Sequence, residues 1–178
     1  MNDIKEMYDL VVKAHENLYD YWLKNILFTW QWWIGVLLTI LPWAIWIKYR
    51  RKESTTRLLF AGTVTIIITY FLDLIGTILG LWYYKWKVIP LIPTYMPWDY
   101  TLFPVSIMFF LQVKPNASKY TKSFIFSIMS VGFEKLFVWL DFYKEVRWRS
   151  LYSFPIYIVI YLIVDCVVRQ NYYKELKE

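Results

Sequence analysis

Three acids stand alone inside segments otherwise apolar enough to cross a bilayer, and they are the side chains in this chain best suited to acid–base chemistry. Asp73 lies in TVTIIITYFLDLIGTILGLW, Glu134 in FIFSIMSVGFEKLFVWL, and Asp99 opens PWDYTLFPVSIMFFLQV. A carboxylate in hydrocarbon is costly unless it faces a bundle interior, finds partners or takes up a proton. On a helix, Asp73 shares a face with Thr69, Gly76, Thr77 and Gly80, a stripe of small and hydroxyl side chains that lets a neighbouring helix approach closely. Glu134 shares its face with Ser123, Ser127 and Ser130. The helices carrying Asp73 and Glu134 run in the same direction, which predicts a similar depth for both, and Asp99 opens its own helix at that same end. Three carboxyls at one level predict a shared cavity in which repulsion and poor solvation hold at least one of them protonated. The plainer alternative is a packing seam whose acids only fix helix register.

The connection between the first two acids is unusual. WYYKWKVIPLIPTYMPWD, residues 82–99, holds three prolines and six aromatics. That composition suits an extended lid over Asp73, since proline enforces extended backbone at the residue before it. Pro104 removes the helical bond to the Tyr100 carbonyl and predicts a free acceptor beside Asp99. Lys135 lies about 100° around the helix from Glu134, so it serves another acid or snorkels outward. Asp165 precedes Arg169 by one helical turn and reads as an ordinary ion pair at the opposite membrane face. Asp141 and Glu145 read as solvated loop residues.

Positioning these groups falls to a series of apolar runs. Residues 1–26 form an amphipathic pattern with Ile4, Met7, Leu10, Val11, Ala14, Leu18 and Tyr21 on one face, too polar to span and suited to the membrane interface or to packing on the bundle. Five runs follow: Leu27–Ile47, Leu58–Leu81, Trp98–Val113, Tyr120–Leu140 and Leu151–Val168. The first would be about 31 Å long as a helix, against the ~30 Å hydrocarbon core, and contains Pro42, which predicts a kink near its end. The expected fold is all-α: a single domain, 27–178, of five transmembrane helices with a weak internal repeat of helix, aromatic loop and helix. In that echo Glu134, Trp139 and Tyr143 answer Asp73, Trp82 and Tyr84, and Tyr157 follows Pro155 where Asp99 follows Pro97. Eleven Lys and Arg fall in the loop 48–57, in 114–122 and after Val168, against eight on the other side. This bias predicts an outside N-terminus and a cytoplasmic C-terminus in the cell membrane.

Composition narrows the function classes. Of 178 residues, 58% are hydrophobic and 22% aromatic, with 11 Trp, 16 Tyr and 12 Phe, a weight that suits repeated membrane-interface crossings. The net charge of +6 sits in short loops, where it sets topology, and gives no footprint for nucleic acid. A single Cys, Cys166, allows no intrachain disulfide, and a single His, His15, argues against a histidine-rich metal site or a Ser-His-Asp triad. The charged residues 1–26 show no cleavable signal pattern.

The string Asp73-x6-Gly80-x-Trp82-x-Tyr84, followed by Pro97-x-Asp99-x-x-Leu102-Phe103, resembles the signature of the membrane-embedded lycopene cyclases of the bacterial and fungal carotenoid type. The resemblance covers about 31 residues of the chain. It implies a bundle of short helical repeats that closes isoprenoid ends into rings without a redox change, with Asp99 in the position of an acid that takes part in proton-driven ring closure. Asp99 stands where that signature has a longer Glu, and the second half of the chain repeats it only faintly. The whole chain also resembles a family of small five-span membrane proteins of spore-forming Firmicutes, which implies a fold but no activity. Together these readings make Asp73, Asp99 and Glu134 the catalytic candidates. Trp82, Tyr84, Trp98 and Tyr143 are the substrate-binding candidates, shielding a carbocation with their ring faces. The expected partner is a membrane lipid, of isoprenoid type; no metal and no cofactor is expected. Two alternatives remain open from the residues alone: a non-catalytic lipid- or partner-binding envelope protein, and a small proton- or cation-conducting bundle.

Overall fold

A computed structural model describes residues 2–169. They are mostly helical, with six α-helices: α1 (Asn2–Asn25), α2 (Trp30–Tyr49), α3 (Thr55–Ile78), α4 (Phe103–Gln112), α5 (Lys119–Trp139) and α6 (Ser150–Arg169). A 3₁₀ turn (Lys52–Ser54) leads into α3, and a π-helical turn (Trp98–Leu102) leads into α4. Part of the basic tail that contributes to the orientation count lies outside the described residues.

Three of these elements are long and apolar enough to cross a membrane: Trp30–Tyr49, Lys52–Ile78 and Ser150–Arg169. The chain is that of a membrane protein. The third and fourth apolar runs differ from these in kind. α4 has 10 residues, about 15 Å of helix against a ~30 Å core. α5 is long enough but carries Lys119, Lys122, Glu134 and Lys135.

Local chemistry explains where the helices begin and how they tolerate their polar residues. Thr29 caps α2, its hydroxyl accepting from the Trp32 amide at 3.3 Å, and Phe28 before it turns the chain with φ 61. α2 continues through Pro42 to Tyr49. In α3 the buried hydroxyls return to their own helix, Thr65 to the Ala61 carbonyl and Thr69 to that of Thr65, so a Thr-rich helix carries no stranded donor. Pro104 sits in the first turn of α4, where its missing N–H costs nothing. The Tyr100 carbonyl it releases is not free for a ligand, contrary to the sequence expectation: the Trp43 indole N–H takes it at 3.0 Å.

Two apolar cores hold the bundle. The larger, around Trp46, Ala61, Phe103, Met108, Phe126 and Tyr161, joins α2 to α6. The smaller, Tyr95, Phe137, Phe142 and Tyr143, lies at the end where α3 and α5 finish. By contrast α1 leaves its apolar face uncovered, with Ile4, Met7 and Leu10 all exposed. It does not pack along the bundle, and that alternative of the sequence reading falls. Its C-terminal end is tied down, because the Trp22 indole donates to the Lys87 carbonyl at 2.8 Å.

The helices are supplemented by one feature absent from the sequence reading, an antiparallel two-stranded ribbon. β1 (Trp82–Tyr84) pairs with β2 (Tyr143–Glu145) in the register Trp82 with Glu145, Tyr83 with Lys144 and Tyr84 with Tyr143. Both strands leave a helix through the same turn. After α3 the amides of Leu79, Gly80 and Leu81 bond the carbonyls of Ile75, Thr77 and Gly76. After α5 those of Leu140, Asp141 and Phe142 bond Leu136, Val138 and Phe137, at matching distances. The turning residue has φ 64 at Gly80 and φ 67 at Asp141, a left-handed conformation that glycine adopts freely and aspartate tolerates. In this register Tyr84 lies opposite Tyr143, its counterpart in the aromatic echo, while Trp82 lies opposite Glu145 and not Trp139. Asp141 and Glu145 are also not simply solvated. Asp141 pairs with Lys85 at 2.5 Å and with Lys144. Glu145 accepts from Lys135 at 3.0 Å and from the Ser150 amide at 2.5 Å and its hydroxyl, capping the start of α6.

The Asp141 pair yields a pH prediction. Hydrogen bonds from Lys144 and Lys85 hold its carboxyl below the usual aspartate range. A group that gives up its proton more readily when folded stabilises at neutral pH and loses that contribution only as pH falls through its folded value. The Asp141 carboxyl should titrate by NMR with a midpoint below the ordinary ~3.9 and move upward in Lys85→Gln. A midpoint at or above the ordinary value would exclude the ion pair in solution.

Candidate functional site

A cavity of about 210 Å³ lies between α3, α5, α6, the ribbon and the segment leading to the π-turn. All seven residues singled out in the sequence line it: Asp73, Asp99, Glu134, Trp82, Tyr84, Trp98 and Tyr143. The three acids are 5%, 2% and 7% exposed for Asp73, Asp99 and Glu134, so their hydrogen bonds must come from the protein.

They receive them in two separate groups. Asp73 is the anchor of the first. One carboxyl oxygen accepts from the Trp82 indole and from the Tyr84 hydroxyl, each at 2.6 Å, and the other accepts from the Tyr95 amide at 3.1 Å. That amide is shared, since Asp99 Oδ2 also accepts it at 3.1 Å. The two carboxyls therefore converge on one buried N–H. The Thr69 hydroxyl, one turn before Asp73, also lies 3.2 Å from the Asp99 backbone carbonyl, which shares the hydroxyl's one proton with the Thr65 carbonyl. Gly76 makes room for this arrangement: a Cβ there would lie 2.0 Å from the Trp82 ring. The small stripe of α3 therefore seats an indole, where the sequence suggested a helix.

Glu134 belongs to the second group and faces α6. It accepts from the Tyr157 hydroxyl at 2.8 Å and from Ser153 at 3.2 Å, and Ser153 in turn accepts from the Trp148 indole at 3.0 Å. Its own serine stripe, Ser123, Ser127 and Ser130, is buried further down α5 and supplies none of these bonds. The three carboxyls thus share a cavity without closing on one point. Among the described residues no group of three or more His, Cys, Asp and Glu side chains is placed to hold a metal ion.

Ring faces complete the walls. Tyr84 stacks on Tyr95 at 4.9 Å and tilts against Tyr143 at 5.4 Å. Trp82 meets Trp148 edge-on at 5.3 Å, and Trp98 packs against Phe103, Phe137 and Tyr157. Burial, followed by the charge of Asp73 beside it, pushes the Tyr84 hydroxyl well above its ordinary range. Burial does the same to Tyr95 and Tyr143. Each shift favours the neutral phenol, and that of Tyr84 donates to Asp73.

Tyr95, Trp148, Ser153 and Tyr157 are site residues that did not enter the candidate set. Tyr157 was legible as the counterpart of Asp99 after Pro155; the Tyr95 amide was not, because every residue except proline carries one. The segment 82–99 closes over Asp73, as its prolines and aromatics suggested. It is fastened from below by the Trp32 indole on the Val88 carbonyl at 3.1 Å and by Lys87 on the carbonyls of Ile92 and Pro93. At the opposite end of α6, Arg169 meets Asp165 at 2.8 Å in the spacing the sequence implied.

No protein-family model, curated protein or solved structure matches the chain.

Proposed function

We propose that this membrane protein protonates the alkene end of an isoprenoid lipid and rearranges it to a ring or a shifted double bond, without a cofactor. The observation carrying the reading is the Asp73–Asp99 pair joined through the Tyr95 amide, set in a wall of indoles and phenols with Glu134 across the cavity. The lycopene cyclase resemblance at Asp73, Trp82, Tyr84 and Asp99 points the same way.

Two buried carboxyls converging on a single N–H repel each other when both are ionised, so the pair favours holding one proton. Asp73 accepts from three protein donors and the Asp99 carboxyl from one, which makes Asp99 the member free to deliver a proton. In the proposed step Asp99 gives that proton to one alkene carbon, and the π electrons form the new C–H bond. The resulting cation is held by the faces of Trp82, Tyr84, Trp98 and Tyr143. A neighbouring double bond attacks it, or an adjacent C–H bond supplies electrons directly, and Glu134 takes the departing proton. One proton enters and one leaves, so no oxidant or reductant is needed. The cavity fits the scale of such a terminus, since an apolar cavity of about 150 Å³ already admits benzene.

The test is turnover of an acyclic isoprenoid in proteoliposomes. Asp99→Asn is expected to reduce it by about 10²–10⁴-fold, the usual contribution of a general acid, with unchanged thermal unfolding. Equal turnover in wild type and variant would overturn the reading. The second reading, a lipid-binding protein without catalysis, is favoured by the three bonds that make Asp73 a tie between α3, the ribbon and the lid. It predicts co-purifying lipid, detected by mass spectrometry, with no chemical change in wild type.

The same proposal includes the finer architecture: five membrane-embedded helices, α1 on the outer interface, a cytoplasmic C-terminus, and an internal repeat supported by the matched turns after α3 and α5. The cavity would then lie toward the outer leaflet.

A further inference from the structure

We propose that the ligand enters this cavity sideways from the acyl chains of the bilayer, through the gap between α3 and α6, and that the end which enters is uncharged hydrocarbon. The inference rests on the cavity being a lipid site but not on its being catalytic.

The two helices that frame the gap are both long and apolar enough to span a membrane. On α3 the lining residues Leu72 and Ile75 are 41% and 52% exposed, so they form the rim rather than the floor. Ile156 on α6 and Leu81 and Trp148 near the ribbon are half-buried and complete that rim. The remaining sides are closed. Phe137 and Tyr95 back the cavity, and Tyr95 is 1% exposed with its amide held by both aspartates. At the helix ends the ribbon is sewn across the cavity, with the amides of Val146 and Arg147 both on the Leu81 carbonyl and that of Lys85 on the Phe142 carbonyl. A water-borne ligand would have to break these bonds; a lipid chain meets only side chains at the rim.

The lining also sets the character of the entering end. Among the described residues that form it, none is Lys, Arg or His, while three carry carboxyls. A phosphate or carboxylate head would meet acids with no counter-ion, so both repulsion and desolvation oppose its entry. Both oxygens of Asp73 and of Glu134 are already engaged by protein donors, which leaves few acceptors for the hydroxyls of a sugar. Ring faces and aliphatic side chains make up the rest.

Photolabelling in lipid nanodiscs tests this with two probes: a long-chain alcohol carrying a diazirine at its hydrocarbon end, confined to the bilayer, and a small water-soluble diazirine alcohol. The bilayer probe is expected to modify Trp98 and Phe137 inside the cavity, and the aqueous probe to leave them unmodified. Placing rings in the rim with Ile75→Trp and Ile156→Trp should lower interior labelling by about tenfold or more, as overpacking of this size implies. Labelling of Leu37 and Ile40 on the exposed face of α2 should not change. The single variant Ile75→Trp, at a side chain already half exposed, repeats the test should the pair fail to fold. Interior labelling by the aqueous probe, or bilayer-probe labelling indifferent to the rim rings, would overturn the lateral route. Asp99→Asn with full turnover and intact labelling would instead refute catalysis and leave the route standing.

Discussion

Asp73→Ala should destabilise the protein by about 2–6 kcal/mol, because it strands two buried donors at about 1–3 kcal/mol each. The donors are the Trp82 indole and the Tyr84 hydroxyl, both of which end on the same carboxyl oxygen. The Tyr95 amide loses one of its two acceptors but keeps Asp99. Asp73→Asn should cost less, since its carbonyl can replace the oxygen facing Trp82 and Tyr84. Its amide nitrogen then points a second donor at the Tyr95 N–H, so the loss is not zero. The expected order of thermal stability in detergent is wild type, Asp73→Asn, Asp73→Ala. The Trp82 indole N–H should also lose its hydrogen-bonded NMR shift in Asp73→Ala. An Asp73→Ala protein that unfolds with wild type would show that this carboxyl ties nothing together.

The second large effect is expected from a single methyl group. In Gly76→Ala the added Cβ would lie 2.0 Å from one Trp82 ring atom and 2.1 Å from the next, so the ring has to leave its seat. Overpacking costs about 1–3 kcal/mol, and the lost hydrogen bond to a carboxylate about 1.5–3 kcal/mol more. The sum, about 2.5–6 kcal/mol, should appear as lower thermal stability and as a loss of the hydrogen-bonded NMR shift of the Trp82 indole. Gly132 on α5 supplies a control of opposite sign. A Cβ there meets nothing within 4 Å, so Gly132→Ala should stabilise by up to about 1 kcal/mol, the helix preference for alanine over glycine. Equal effects at the two positions would mean that Trp82 does not rest on α3 as described.

These two glycines also show where sequence reading stops. Both lie in apolar helices, and the ring of Trp82 brought back by β1 against Gly76 is what distinguishes them. The stripe Thr69, Gly76, Thr77, Gly80 was legible as a place of close approach, but its occupant was an indole from nine residues further on rather than another helix. Pro104 correctly signalled a released carbonyl at Tyr100; that Trp43, 57 residues earlier, would take it depends on how α2 crosses the π-turn. Asp141 and Glu145 looked like loop acids because nothing local marks a three-residue strand, and their partners Lys85, Lys135 and Ser150 come from other elements.

Periodicity, length and composition by themselves determined the membrane class, the positions of the apolar helices and the fact that Asp73, Asp99 and Glu134 would be buried. Such properties follow from each residue's own preference for hydrocarbon or water and from a repeat that any one helix must obey. Only the tertiary structure decided that Asp73 and Asp99 form a pair while Glu134 turns to α6, that a ribbon joins the ends of α3 and α5, and that Leu72 and Ile75 at the cavity's rim are exposed. Those outcomes depend on which donor arrives opposite which acceptor after the chain has folded back. The donor that joins the aspartates is a backbone amide, a group that nearly every residue carries and no pattern of side chains marks.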